Sequence, residues 1–407
     1  MIKQKNIVIT GLGILSPLGK GINEFWRNFS RKQLPLRRIN LFSTKEFPVK
    51  YAFQLNAFSF QHYFKNIKSA YIPRSTQMVL VSAQMALKDA GYEKGLYREQ
   101  ETGVMTATVY GSGKAAADFC KKILLDGPDA VDPLAFPASI INFTSNYLAK
   151  LYAFRGPNIS FSSGASAGIE AMISAATLID GKNIKAALIN GLNDLCLINY
   201  VQLNRKKLLY AVKGKKAYQQ GIFSLKRNGF ILGENATTLI IENEILARRR
   251  NAPIYARICG FSLGFGKNKQ NYIRIIQEAL DNAQISPSEI DICLLNANGI
   301  SNMDKAEYLA LEKIFSKKNA ALDCVAVKEN NGECEAASGV LQALIAAKYF
   351  YHNKIIASAI SYQGERKSPK LQLLNSAKRK EIRYVLINSF DFNGNNACLV
   401  LGRAGQN

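Results

Sequence analysis

Histidine is almost missing from this chain: in 407 residues only His62 and His352 occur. Chemistry that needs two imidazoles at one centre therefore has a single pair to draw on. His62 lies in a Phe/Tyr-rich N-terminal stretch, which suits packing or a surface position. His352 lies just after a predicted helix, where a C-terminal cap is the expected role. Long apolar runs are missing as well. No stretch approaches the roughly 18 consecutive apolar residues of a membrane-spanning helix, so no membrane span is expected. Met1 to Gly11 has a short charged start and the apolar run Ile7-Val8-Ile9, with no long apolar region and no small-residue cleavage site. It does not read as a signal peptide. The seven cysteines (Cys120, Cys196, Cys259, Cys293, Cys324, Cys334 and Cys398) include no CxxC pair, and their number is odd. That pattern fits reduced thiols and a cytoplasmic setting better than a disulfide framework, and no metal or other cofactor is expected.

Acidic residues are also scarce, with 30 Asp plus Glu against 53 Lys plus Arg and a formal net charge of +23. Nucleic acid, an anionic membrane surface or an acidic protein are the partners such a balance allows. The charges come in short dispersed clusters such as Arg205-Lys206-Lys207 and Arg248-Arg249-Arg250. They are accompanied by no helix-turn-helix, zinc finger or aromatic RNA-binding box. A solvated basic surface or a docking face for an acidic protein accounts for them, and nucleic acid is not the expected partner.

What is present is a large apolar content, 48% of residues, enough for a sizeable core and too much for a disordered chain. β-branched runs alternate with longer helical stretches, which predicts an α/β protein. Strands are predicted at Asn6–Thr10, Asn158–Phe161, Lys185–Ile189, Thr237–Ile241, Ile290–Leu294, Val325–Val327 and Tyr384–Ile387. Helices are predicted at Ser75–Ala90, Gly168–Ile179, Tyr272–Asn282, Asp304–Phe315 and Ala336–Tyr351. No low-complexity linker divides the chain, so the halves, 1–250 and 251–407, are expected to pack as one body. An internal echo points the same way. Ile159–Asn190 reads as strand, small-residue turn (Gly164-Ala165-Ser166-Ala167-Gly168), helix and strand. Asp323–Ala357 repeats that order through Val325–Val327, the turn Ala336-Ala337-Ser338-Gly339, a helix and Lys354-Ile355-Ile356-Ala357, as a duplicated α/β half would.

Four segments, in order, carry a resemblance to a known family. Ile7-Val8-Ile9-Thr10-Gly11-Leu12-Gly13 with Ser16-Pro17-Leu18-Gly19 resembles the opening strand of β-ketoacyl synthases. Arg74-Ser75-Thr76-Gln77 with Ala83 to Gly91 resembles their first amphipathic helix. Arg227-Asn228-Gly229-Phe230-Ile231-Leu232-Gly233-Glu234 is similar to the R-D-G-F-x-x-G-E element, and Asn388-Ser389-Phe390-Asp391-Phe392-Asn393-Gly394-Asn395-Asn396 to a worn N-S-F-G-F-G-G-x-N loop. These matches cover nearly the whole chain. The resemblance implies a thiolase-like five-layered αβαβα duplication, usually dimeric.

A condensing ketosynthase needs a cysteine nucleophile at a strand-to-helix elbow and two histidines that polarise the malonyl thioester and stabilise the enolate. By the resemblance, the cysteine position falls on Ala165 and the first histidine position on Asn298. The second falls on Glu333, preceded by the family's lysine at Lys328. Ser163 and Ser166 beside the elbow read as helix-cap or packing residues, and Cys334 as a small buried side chain. The segment around Asn298 is about two residues shorter than the catalytic pattern, and Asp304-Lys305-Ala306-Glu307 follows directly. That form resembles the chain-length-factor branch of type II polyketide synthases, in which a ketosynthase-like subunit without catalytic machinery pairs with an active one. Chain-length factors often carry glutamine at the cysteine position, where this sequence has Ala165.

The resemblance then implies a non-catalytic subunit that heterodimerises with an active ketosynthase and shapes an acyl tunnel. Elongation would take place on an acidic acyl carrier protein bearing a phosphopantetheine-linked polyketide, aryl polyene or fatty-acid chain. Positions that resemble tunnel residues are Gly113, Ala116 and Cys120, spaced to share one helical face. All three are small, which suits either a long product or close helix packing at the dimer interface. Phe230, Phe390 and Phe392 mark a possible gating loop. Pro133-Leu134-Ala135-Phe136-Pro137 through Tyr147 resembles the family's subunit-contact region. The competing expectations are a stand-alone acyl-binding homodimer on the same fold and a self-sufficient condensing enzyme with unorthodox residues.

Overall fold

Two sets of five strands form the frame of the computed structural model, which describes residues 6–93, 95–212, 229–318, 320–359 and 368–405. Arg227 and Asn228 of the R-D-G-F-like element lie outside the described residues. The first set is β1 (Ile7–Ser16), β2 (Thr102–Ala107), β3 (Asn158–Phe161), β4 (Ala186–Asn193) and β5 (Asn235–Asn243). The second is β6 (Ala256–Phe265), β7 (Ile292–Leu294), β8 (Leu322–Val325), β9 (Tyr384–Phe390) and β10 (Asn395–Gly402). The principal helices are α1 (Ile22–Ser30), α2 (Arg74–Asp89), α3 (Gly113–Asp126), α4 (Phe143–Tyr152), α5 (Ala167–Asp180), α6 (Leu197–Arg205), α7 (Lys269–Ala283), α8 (Ser301–Ile314) and α9 (Ser338–His352).

The pairing pattern is the same in both sets. In the first, β2 is parallel to β3 and β4, and antiparallel pairs β4–β5 and β5–β1 complete the order β3-β2-β4-β5-β1. In the second, β7 is parallel to β8 and β9, and antiparallel pairs β9–β10 and β10–β6 give β8-β7-β9-β10-β6. The sets join where β1 meets β6 at Val8↔Arg257 and Ile9↔Ala256. The sequence explains the placement: β1 reads Ile-Val-Ile-Thr-Gly-Leu-Gly-Ile-Leu-Ser and is buried at every position, as a strand covered on both faces must be.

Helices complete five layers. α2 lies on β1 and β5, and α7 on β6 and β10, forming the two outer faces together with α4 and α8. α5 and α9 pack against each other between the sheets. α9 is buried from Ser338 to Phe350, the all-round burial expected of a central helix. The chain is therefore α/β, with a thiolase-like five-layered αβαβα duplication.

The echo is real, but one of its strands lies elsewhere. Among the described residues Lys354–Ile355 pairs only with Lys378–Arg379, outside the main sheet. The strand that corresponds to β4 is β9, which pairs with β7 as β4 pairs with β2. The β-branched run after α9 is short and meets no free edge of the main sheet, so its pattern misled. Similarly, β8 ends at Val325, and Ala326 and Val327 lead into the short helix Lys328–Asn331.

α5 and α9 approach closely at glycines. A Cβ on Gly168 would stand 2.7 Å from the Ala336 carbonyl oxygen and 2.9 Å from Val340 Cγ2, and one on Gly339 would stand 2.8 Å from Ile169 Cγ1. Gly168→Val is expected to cost about 1–3 kcal/mol of stability, because a backbone carbonyl cannot step aside. Denaturant titration of purified protein checks this, and an unchanged midpoint would contradict the packing described.

Candidate functional site

The two strand-to-helix elbows, between β3 and α5 and between β8 and α9, converge at the N-terminal ends of the central helices. Ala165 sits in the short turn Gly164–Ser166 and is 3% exposed. Its amide donates to Asp391 Oδ2 (2.9 Å), and its carbonyl accepts from Ser389 Oγ (2.6 Å). Gly164 has φ +75°, and a Cβ there would fall 2.1 Å from Asp391 Oδ2. The β9–β10 hairpin is thus pressed onto the elbow. Ser166 Oγ donates to the Ser163 carbonyl (3.1 Å) and to Glu170 Oε1 (2.6 Å). Neither serine caps α5 with its side chain, so packing is the role that holds.

The other elbow is built around an ion pair. Lys328 Nζ donates to Glu333 Oε2 and to Asn296 Oδ1, both at 2.8 Å, with both charged side chains buried. Glu333 Oε1 accepts from the Glu335 amide (2.9 Å) and Ser338 Oγ (2.8 Å). Asn296 Oδ1 also accepts from the Phe390 amide (3.0 Å). A continuous chain of hydrogen bonds therefore links Glu333 to the hairpin that holds Ala165. Asn298 lies two residues past Asn296, buried, with its Oδ1 accepting from the Ile300 amide (3.1 Å).

Sequence reasoning missed what holds that loop. Glu307 accepts from the amides of Asn296 and Ala297 (2.8 Å each), and Asp304 accepts from those of Asn298 and Gly299. The Asp304-Lys305-Ala306-Glu307 stretch thus satisfies amides that β7 leaves unpaired at its end. Two carboxylates three residues apart at the start of a helix were the available signal. Glu234, from the R-D-G-F-like element, plays a comparable part. It is buried, pairs with Arg74 and accepts from the amides of Leu55 (2.8 Å) and Leu195 (3.2 Å).

Around this frame the centre is acidic despite the basic chain. Burial, then the charges of Glu333, Asp391 and Asp194, push the Glu335 carboxyl up to about 8, against the hydrogen bond from Asn199. Glu335 also has a left-handed backbone, φ 42°. Burial and then Glu234 push Asp194 to about 7, and burial raises Asp391. Cys334 is buried with its thiol directed at the carbonyls of Asn331 and Gly332, and burial holds it far above the range of a nucleophilic thiolate. Ala165 itself offers only a methyl group.

The remaining sequence-predicted residues are distributed as follows. Gly113, Ala116 and Cys120 run along α3 from buried through half-buried to exposed, and a Cβ on Gly113 would meet Cys196 Sγ at 2.8 Å. Phe230 and Phe392 stand 6.3 Å apart, whereas Phe390 is fully buried and stacked on Tyr272 at 4.1 Å. The 133–147 stretch forms short 3-10 turns and α4, leaving Leu134 66% exposed and Phe136 bare beside α3, whose own Leu124 and Leu125 are 82% and 70% exposed. His62 is exposed, edge-on to Tyr63. His352 is the last residue of α9 and lies flat on Trp26 at 5.0 Å, while the helix stops at Asn353 with φ 47°, so the expected imidazole cap is replaced by a ring stack. Both histidines are outside the elbow site, His352 at the far end of α9 from Glu333. Among the described residues there is no cluster of His, Cys, Asp and Glu suited to a metal, and no helix long and apolar enough to cross a membrane.

Comparison with known sequences places the chain. The pattern described as "Beta-ketoacyl synthase, N-terminal domain" matches residues 4–246, and "Beta-ketoacyl synthase, C-terminal domain" matches residues 262–361. The chain belongs to the β-ketoacyl synthase family. Relatives include 3-oxoacyl-[acyl-carrier-protein] synthase 2 of Coxiella burnetii, 26% identical with 99% of each chain covered. The protein of the same name from Rhizobium meliloti is also 26% identical, covering 98% of this chain and 99% of that one. Among solved structures, the ishigamide ketosynthase/chain length factor superposes with a TM-score of 0.89 at 25% identity over 98% of this chain and all of the other. A β-ketoacyl synthase from Burkholderia phymatum gives 0.90 at 21% identity over 98% of this chain and all of that one, a likeness of fold. Within the β-ketoacyl synthase fold, Ala165, Asn296 and Glu333 thus sit where the two halves meet.

Two outcomes follow for the site. Lys328→Met strands the buried Glu333 carboxylate and is expected to cost about 3–5 kcal/mol, much of which Lys328→Met with Glu333→Leu should restore. Denaturation of the single and double variants measures it. Glu335 binds its proton more tightly folded than unfolded, so its contribution to stability is complete below the ordinary carboxylate range and is lost as pH rises through about 8. Glu335→Gln is expected to flatten the fall in melting temperature between about pH 5 and pH 9, and an unchanged slope would show that Glu335 is not the titrating group.

Proposed function

We propose that this chain is a non-catalytic chain-length factor: it pairs with an active β-ketoacyl synthase and shapes the acyl tunnel while a polyketide, or a related aryl polyene or fatty-acid chain, grows on an acyl carrier protein. The observation that carries the reading is the content of the elbow site. A methyl group stands at Ala165 where a thiolate nucleophile would be needed. Glu333 is committed to Lys328, and Asn298 to its own loop, where imidazoles would be needed. Loss of a nucleophile or a base removes orders of magnitude in rate, and here all three are replaced.

Three further observations support the partner. A bare apolar surface runs over Leu124, Leu125, Leu134 and Phe136, of the kind a large subunit interface covers. The Gly113–Ala116–Cys120 stripe runs from the interior to that surface, so a tunnel along it would open toward a second subunit. The net charge of +23 complements an acidic carrier protein. The solved relatives include a type II polyketide synthase acyl-carrier protein in complex with its ketosynthase bound to the hexaketide.

Co-expression with a ketosynthase from the same genomic neighbourhood, followed by native mass spectrometry, tests the assembly. A one-to-one heterodimer without residual homodimer is expected, and a homodimer that ignores the ketosynthase would overturn the proposal. In the reconstituted pair, Cys120→Phe is expected to shorten the product, and an unchanged length would remove the tunnel role of α3.

A further inference from the structure

At the far end of α9 from the elbow site lies a cleft of about 460 Å³ that the condensation chemistry does not use. α1 contributes Ile22, Trp26 and Arg27 to its wall, α9 contributes Lys348, Tyr351 and His352, and Tyr255 and Asp89 close it. Its volume is in the range of small-molecule sites and well above what one benzene-sized ring requires.

The unusual member is Lys348. Its side chain is only 7% exposed, yet among the described residues no acceptor takes a hydrogen bond from its ammonium and no carboxylate lies within 4.0 Å. Its neighbours are rings: Nζ stands 4.7 Å from the centroid of Tyr351 and 5.8 Å from that of Trp26. The carboxylate facing the cleft, Asp89, attracts Lys348 from beyond 4.0 Å, but its hydrogen bonds go to the Leu12 amide (2.9 Å) and the Tyr255 hydroxyl (3.1 Å). The other charges nearby are positive, Arg27 at the rim and Lys354 beside His352. Burial and the charges of Lys348 and Lys354 together lower the basicity of His352, as an electropositive pocket would. A buried ammonium without a hydrogen-bonded anionic partner is costly to the fold, and ring faces and the more distant Asp89 offset only part of that cost.

We propose that this cleft binds a small aromatic carboxylate, its carboxylate paired with Lys348 and Arg27 and its ring lying against Tyr351 beside the Trp26–His352 stack. The charge selects the carboxylate, and the aromatic wall selects a planar ring over an aliphatic chain. The site is separate from the elbow and does not depend on the chain-length-factor reading.

Trp26 is the one tryptophan of the sequence, so its fluorescence in the full-length protein reports on this cleft directly. Titration with benzoate is expected to change that fluorescence saturably. Cyclohexanecarboxylate and inorganic phosphate, which carry charge without an aromatic ring, and phenol, which carries an aromatic ring without charge, should each bind at least about tenfold more weakly. Lys348→Met should weaken benzoate binding about tenfold or more and leaves the buried stem packed, since the ammonium makes no hydrogen bond within the described residues. Tyr351→Ala, at an exposed position, should weaken it independently and guards against misfolding of the first variant. No saturable response to benzoate overturns the proposal. An equal response to phosphate reduces the cleft to an anion site and overturns the aromatic assignment. An equal response to phenol, or one that Lys348→Met leaves unchanged, overturns the pairing with Lys348.

Discussion

Everything at the centre of this protein rests on the contact between α5 and α9. Gly168 and Gly339 occupy matching places just beyond the two elbows, and each lets the opposite helix approach to a distance that any side chain would block. That approach brings both elbows to one place and sandwiches α9 between two sheets, burying it from Ser338 to Phe350. Each large apolar side chain so buried contributes on the order of 1.5–3 kcal/mol. The β9–β10 hairpin reaches the same place, holding Ala165 through Asp391 and Ser389.

The centre that results is polar and buried, which dictates its electrostatics. Lys328 is held by Glu333 and Asn296, and Glu333 in turn by Ser338 and the Glu335 amide. A buried pair of this kind is sound only when its remaining hydrogen-bonding capacity is met, and here Asn296, Ser338 and the Glu335 amide, all from the second half of the duplication, meet it. Burial and neighbouring carboxylates push Glu335 and Asp194 to hold their protons toward neutral pH, Arg74 offsetting only part of this at Asp194. Asp304, Glu307 and Glu234 do structural work instead, collecting backbone amides at the ends of strands and loops. The β-ketoacyl synthase fold is thus held at its centre by buried polar contacts around Ala165, Asn296 and Glu333.

Much of the architecture was legible in the residue pattern. β3 occupies Asn158–Phe161 as predicted, and α2, α5, α7, α8 and α9 each lie within a few residues of their expected bounds, because long periodic segments announce themselves locally. The failures share a cause. Lys354–Ala357 looks like a strand in isolation, but a strand belongs to a sheet only if an edge is available to it, and β9 had taken the place beside β7. His352 reads as a cap by position, yet a ring beside Trp26 gains more from stacking, and Asn353 adopts the left-handed turn that ends the helix. Phe390 was grouped with Phe230 and Phe392 by proximity in a motif, although strand alternation sends it to Tyr272.

The sequence by itself determined the class of fold, its duplication and the identity of the residues at the elbow, since these follow from hydrophobic period, ordered motifs and the presence or absence of particular side chains. Only the tertiary structure decided what those residues do for one another. The pairing of Lys328 with Glu333, the loop held by Asp304 and Glu307, the raised carboxyls of Glu335 and Asp194 and the buried Lys348 among rings all depend on distances and burial between segments remote in the chain. Burial sets the strength of a charge and the need for its partner, and no local pattern encodes it.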